Sequence, residues 1–376
     1  MKIETSNTKS NVIDDIKLNR KMLIQLSLII PTHNRAPSLK RVLDNIFDLT
    51  SQDYFKINFE IIVVDNNSKD ATKDIVLSYG DKVKYVFEEN TSFTKARHTG
   101  AHNAQGEILV YLDDDICIKS GTFEEIVRIF SQNSDCGVAG GKILAHFEQT
   151  PPDWVTKLQA SFNGLSLFNL GDTEKKVHAV PAPLMAIRKI AFDAVGGFPP
   201  DTVGVETNKV HKTFKKLYIG PGDYAFCLLC RNVGYSIIYS PKIVIEHIIS
   251  PFRLTKEFWL SRMIGEGHCI AVTQANMKEL KIEGARAKKI KRFNRWKEIK
   301  HFFTAKLQRI KGIRDPLLVD EMWFEYYRSR RSMEYILSKN PHLASYLWQI
   351  GLEGIPDKDF ETVLKKLPKA YQDLAL

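Results

Sequence analysis

Four short apolar runs, each separated from the next by a helical pattern, constrain this chain more than any other feature. They are "LSLIIPT" (Leu26 to Thr32), "FEIIVVDNNS" (Phe59 to Ser68), "KVKYVFEE" (Lys82 to Glu89) and "GEILVYLDDD" (Gly106 to Asp115). Most are continuous rather than alternating, the pattern of strands covered on both faces. Between the first two, Leu39, Val42, Leu43, Ile46 and Phe47 recur at helical spacing, and Ala71–Tyr79 and Ser92–Ala104 also read as helices. Strands separated by helices of about ten residues predict an α/β fold with a doubly wound, mostly parallel, Rossmann-like sheet.

Sheets of this kind bind ligands outside the carboxyl ends of their strands. Thr32–Arg35, Asp65–Ser68 and Asp113–Asp115 all fall at such ends, so they are expected to line one crevice. Three adjacent carboxylates raise one another's pKa unless a cation or strong donors compensate. The run "DDD" therefore points to a bound metal, a shared proton, or an acidic turn before the helix that starts near Thr122. On an extended chain Asp113 and Asp115 face the same side, where a hard divalent cation with oxygen ligands could join them.

The second half changes character. Gly137–Leu144 and Val177–Ile187 read as further strands, a helix is expected from about Asp223 to Asn232, and from Thr255 the pattern turns helical. Residues 1–22 are polar, lack the apolar core of a secretory leader and read as a loose tail. No apolar run approaches the roughly 18–20 residues needed to cross a bilayer. Five cysteines, scattered and odd in number, do not form a disulfide framework and fit a reducing, cytoplasmic setting. Cys227 and Cys230 form a C-x-x-C without a second pair at zinc spacing, and read as packed helix residues.

Five segments resemble, in order, the signatures of family-2 inverting glycosyltransferases with the GT-A fold. They are "LSLIIPTHNR", "EIIVVDNNSKD", "KARHTGAHNAQGEILVYLDDDI", "PLMAIRKIAFDAVGGF" and "GDYAFCLLCRNVGYSIIYSPKIVIEH". The resemblance runs from about Leu26 to about Ala271. It implies a GT-A catalytic domain over 23–254, with a nucleotide-sugar half (about 23–145) and an acceptor half (about 146–254), followed by a helical region over 255–376. It also implies transfer of a sugar from a nucleotide-diphosphate donor to the hydroxyl of a saccharide or lipid-linked acceptor, with Mn²⁺ or Mg²⁺ as cofactor. Pro31, Thr32 and His33 would form the turn at the nucleotide base, His33 replacing a common Tyr. Asp65 would recognise the base, and Arg97 would lie near the nucleotide, with His98 where Asn is usual. Asp113 to Asp115 match the D-x-D motif: Asp114 near the ribose, Asp113 and Asp115 with the metal. His247 matches a late metal-binding His.

Inversion also requires a general base. Asp223 matches the second letter of the family's E-D motif and is the candidate, although Gly222 stands where the Glu is expected; an N-cap role suits the same residue. "FWLSRMIGEGHC" (Phe258 to Cys269) resembles a closing helix found beside the acceptor site in some relatives. "RFNRW" (Arg292 to Trp296) resembles the Q-x-x-R-W of processive synthases, but lacks its Gln and lies too late in the chain.

Net charge is +10, yet Lys281 to Lys311 alone holds twelve Lys/Arg against Glu283 and Glu298, and the rest of the chain is neutral. Apolar and aromatic residues recur through 281–311 at helical spacing. Such a helix suits either docking on an anionic membrane surface, which would make the protein peripheral on the cytoplasmic face, or packing on the catalytic domain with its basic side in water. Nucleic-acid binding is disfavoured, since no recognition fold accompanies the charge. Two other functions use related features. A sugar nucleotidyltransferase would need a Gly-rich, Lys-bearing loop, and "IIPTHNRAPS" has neither residue; a non-catalytic nucleotide-sugar-binding or membrane-docked module would explain the missing Glu.

Overall fold

The computed structural model describes residues 25–51, 56–200, 202–204, 216–218, 222–279 and 316–339, together with 342, 343 and 347. The tail 1–22, the basic segment 281–311 and "RFNRW" lie outside the described residues. The chain opens with β1 (Leu26–Thr32), α1 (Ala36–Thr50), β2 (Phe59–Asp65), α2 (Thr72–Leu77), β3 (Lys84–Phe87), α3 (Phe93–Asn103) and β4 (Ile108–Leu112). It continues with β5 (Ile116–Ile118), α4 (Thr122–Gln132), β6 (Cys136–Phe147), α5 (Asp153–Ser161), β7 (Lys175–Lys176), β8 (Leu184–Arg188), α6 (Lys189–Val195), β9 (Thr202–Gly204) and β10 (Lys216–Tyr218). Last come α7 (Gly222–Asn232), β11 (Ser236–Ile249), α8 (Lys256–Glu279) and α9 (Pro316–Lys339).

One sheet has the order β3-β2-β1-β4-β8-β6-β11-β5, with β7 also on β11. β1 pairs in parallel with both β2 and β4, and β6 with β11. β8 runs against both β4 and β6, so β6 and β11 point the same way as the first four strands. The sheet is thus mostly parallel, as the continuous apolar runs predict: every residue of β1 and of β4 is buried. Leu39, Val42, Leu43 and Ile46 of α1 pack on one face, and Ala96 and Ala101 of α3 lie in the cluster on the other. Gly100 explains itself here, because a Cβ would stand 2.4 Å from Ile29 Cγ2.

Val177–Ile187 does not form one strand: only Leu184–Arg188 is extended within the sheet. Pro181 and Pro183 have no N–H to give a ladder, and the N–H of Ala182 between them is used elsewhere, as described below. The C-terminal helices form a packed pair, with Met263, Met322 and Tyr326 in one cluster. Trp259 is fully buried against Trp154 and Phe162, so at this position the 258–269 stretch faces the protein interior.

Candidate active site

β1 has β2 on one side and β4 on the other, so the switch point of the sheet lies between the ends of β1 and β4. Thr32 ends β1, and its hydroxyl donates to Asp114 Oδ2 at 2.6 Å. The following turn is held by polar bonds: His33 Nδ1 donates to the Asn66 carbonyl at 2.7 Å, leaving Nε2 to accept from Asn34 Nδ2 at 2.7 Å. Asn34 and Asn67 adopt left-handed backbone (φ 53° and 64°), a conformation that Asn tolerates. Asp65, in register with Thr32, is buried; its oxygens accept from the Tyr85 hydroxyl (2.8 Å) and the Ser68 N–H (2.8 Å). Pro31 lies on β1 past its last pair with β4, Ile29 with Tyr111.

The acid turn is pinned at both ends by backbone bonds. Asp113 N–H donates to Pro183 O, and the Asp115 carbonyl accepts from Ile248 N–H. β5 then pairs antiparallel with β11, setting Ile116 opposite His247. This fold-back brings Asp113, Asp115 and His247 together, with one ligand atom from each lying within 4.8 Å of the others.

Two arginines complete the cluster: Arg35, expected at the crevice but with no partner assigned, and Arg253, which sequence reasoning did not place. Arg35 Nη1 reaches Asp114 Oδ1 at 3.1 Å and Asp115 Oδ2 at 2.7 Å. Arg253 Nη2 reaches Asp115 Oδ2 at 2.7 Å, and its Nη1 lies 2.8 Å from His247 Nε2. Their effects on the acids differ. Burial, reinforced by the charge of Asp115, pushes Asp113 up to about 6. Burial also raises Asp114 against the pull of Arg35. Burial would raise Asp115 too, but the guanidinium groups of Arg253 and Arg35 hold its carboxyl well below the usual range.

His247 is buried, and Nδ1 lies 2.9 Å from the Leu165 carbonyl, so Nδ1 carries the proton. Its partner at Nε2 is a guanidinium, which only donates, so Nε2 presents its lone pair. That is the tautomer of a metal-binding imidazole with its second nitrogen anchored to a carbonyl. Asp115 Oδ1 is buried, 3.3 Å from Nε2, and accepts no hydrogen bond among the described residues. An orphaned carboxylate oxygen facing an imidazole lone pair, with a raised carboxyl beside them, fits a divalent cation, and an oxygen-plus-imidazole set suits Mn²⁺ more readily than Mg²⁺.

Asp223 lies in the first turn of α7, with its side chain 30% exposed. Its Oδ1 accepts from Arg97 Nη1 at 2.8 Å, and its Oδ2 accepts from the Ala182 N–H at 3.0 Å. Arg97 is buried, with its guanidinium 4.0 Å from the Phe93 ring centroid and 4.6 Å from that of Phe198. The structure therefore brings Arg97 to the candidate base. His98 Nε2 donates to the Phe198 carbonyl (3.1 Å), its ring sits edge-on to Phe192, and burial pushes its pKa down to about 4. The C-x-x-C is inert packing: both thiols are free and buried, and burial raises Cys227 to about 12.

The carboxylate–imidazole cluster thus lies in a strand-end crevice at the switch point of the sheet, where folds of this class bind ligands. Residues 27–196 match the model of the family described as Glycosyl transferase family 2. Glycosyltransferase AglE of Haloferax volcanii is 26% identical over 239 residues, 62% of this chain and 70% of that relative. Validoxylamine A glucosyltransferase of Streptomyces hygroscopicus subsp. jinggangensis is 40% identical over 95 residues, 24% of this chain but 22% of that relative. Mannosyltransferase PcManGT from Pyrobaculum calidifontis, solved in complex with GDP-Man and Mn²⁺, aligns with 98% of this chain and 93% of its own at 18% identity and a TM-score of 0.47. Among the described residues no helix is long and apolar enough to cross a membrane.

Proposed function

We propose that this glycosyltransferase moves a sugar from a nucleotide-diphosphate donor to an acceptor hydroxyl by a single inverting displacement that depends on a divalent metal. The observation that carries this reading is the orphaned Asp115 Oδ1 beside His247 Nε2, whose lone pair is turned into the acid cluster. Asp113, Asp115 and His247 would hold the metal, which when bound would neutralise the donor diphosphate as a leaving group. Thr32, His33 and Asp65 lie on adjoining turns that would receive the nucleoside, and Asp114 its ribose.

Asp223 would act as base. Two of its lone pairs are engaged by Arg97 and the Ala182 N–H, which fix the carboxylate in place and leave others for the acceptor proton. The acceptor oxygen would form its bond to the anomeric carbon as its proton passes to Asp223. The bond from that carbon to the diphosphate would break, its electron pair leaving with the nucleotide. Gly222 gives the acceptor side no carboxylate beside Asp223.

The test is nucleotide release from UDP-, GDP-, dTDP- and CMP-sugars with Mn²⁺ or Mg²⁺, alone and over an acceptor panel. Release from one donor is expected, lost in Asp115→Asn, with transfer lost in Asp223→Asn. Full transfer by Asp223→Asn would exclude it as base. Donor binding without turnover across the whole panel would favour a binding module instead.

A further inference from the structure

Arg253 stands at an atom that a metal would also need. Its two terminal nitrogens engage two of the three candidate ligands, Nη1 on His247 Nε2 and Nη2 on Asp115 Oδ2. The Nε2 of a neutral imidazole whose other nitrogen is protonated has one lone pair, which cannot serve an N–H donor and a metal together. We propose that the Arg253 guanidinium is the resident cation of the empty donor site and is exchanged for the metal when the donor binds. This rests on the metal reading above.

The charges say why such a placeholder belongs there. Three adjacent carboxylates with an orphaned buried oxygen need positive charge in the absence of ligand. Arg35 supplies part from the turn after β1, and Arg253 supplies the rest from the turn Pro251–Leu254. A divalent ion arriving alone would break the Arg253–His247 bond and meet two guanidinium groups with no new anion to balance them. An ion arriving with a diphosphate brings that anion with it. Without nucleotide the site therefore binds free metal weakly and favours the metal–nucleotide pair. The turn carrying Arg253 is itself tied to the C-terminal helices, since Trp259 Nε1 donates to the Arg253 carbonyl at 3.0 Å.

The experiment titrates the full chain with Mn²⁺ in the absence of nucleotide and follows free aqueous Mn²⁺ by its EPR signal. Arg253→Gln is expected to bind Mn²⁺ at least about tenfold more tightly than the parent, because one unit charge is removed from a partly buried site. Arg253→Lys keeps the charge but cannot engage both atoms at once, and a smaller gain is expected; it also stands in if Arg253→Gln does not fold, as judged by circular dichroism. Asp115→Asn separates the two readings. If parent binding depends on Asp115 and neither Arg253 variant improves it, the exchange is overturned and the metal site stands. If no variant binds Mn²⁺, or Asp115→Asn binds as well as the parent, the metal site falls and the exchange with it.

Discussion

Replacing Arg97 with Met distinguishes two roles for a residue whose motif suggests nucleotide contact and whose geometry suggests another task. The substitution keeps an unbranched apolar stem between Phe93 and Phe198 and removes the 2.8 Å bond to Asp223 Oδ1. A hydrogen bond between charged groups contributes about 1.5–3 kcal/mol. If that energy holds the base on its line of attack, kcat falls by roughly 10- to 100-fold. Stability falls too, by less than the 3–5 kcal/mol typical of a severed buried pair, because Asp223 is partly open to solvent. The assay pairs steady-state transfer kinetics with calorimetric titration of the nucleoside diphosphate. A lower kcat with nucleotide affinity unchanged within about twofold is the expected split. Weakened nucleotide binding at unchanged kcat would refute the positioning role and return Arg97 to the nucleotide.

Three further outcomes follow from the packing. His98 is held neutral by burial down to about 4, whereas an unfolded chain takes up its proton near the ordinary histidine value. Stability therefore falls as pH drops through that window, and denaturant unfolding at pH 7 and pH 5 should show a smaller difference in His98→Asn than in the parent. Gly100→Ala forces a methyl within 2.4 Å of Ile29 Cγ2 and is expected to cost about 1–3 kcal/mol, read as a lowered denaturant midpoint. Cys227 and Cys230 should resist alkylation in the native protein and react on unfolding; rapid native labelling would contradict their burial.

Much of this architecture is legible in the chain because burial on both faces writes itself as continuous apolar sequence. Leu26–Thr32, Phe59–Asp65 and Ile108–Leu112 are strands where the runs place them, and the polar residues that follow meet at one end of the sheet. Where two prolines interrupt the apolar pattern between Val177 and Ile187, the same rule overreaches: hydrophobicity persists but the ladder cannot. Arg253, and the pairing of Arg35 with the acids, were invisible for a different reason. Arg35 and Arg253 belong to no periodic pattern, and they meet Asp115 across separations of 80 and 138 residues. Three adjacent acids left a metal, a shared proton and an acidic turn all open, and named no arginine partner. Asp65 shows the converse: its place at the crevice is readable, while its bonds to Tyr85 and Ser68 depend on how the neighbouring turns close.

β11 lies inside the sheet, between β6 and β5, although it is the last strand of that sheet to be made. As the chain leaves the ribosome, β6 must therefore wait with most of one edge unpaired until residues up to Ile249 have emerged. The strand that closes this gap also delivers His247, and Arg253 follows six residues after it. A nascent chain stopped at Val195 would possess the acid turn without its imidazole or its second guanidinium. Completion of the sheet and assembly of the acid–imidazole cluster are thus one event in the life of the polypeptide, and both come late.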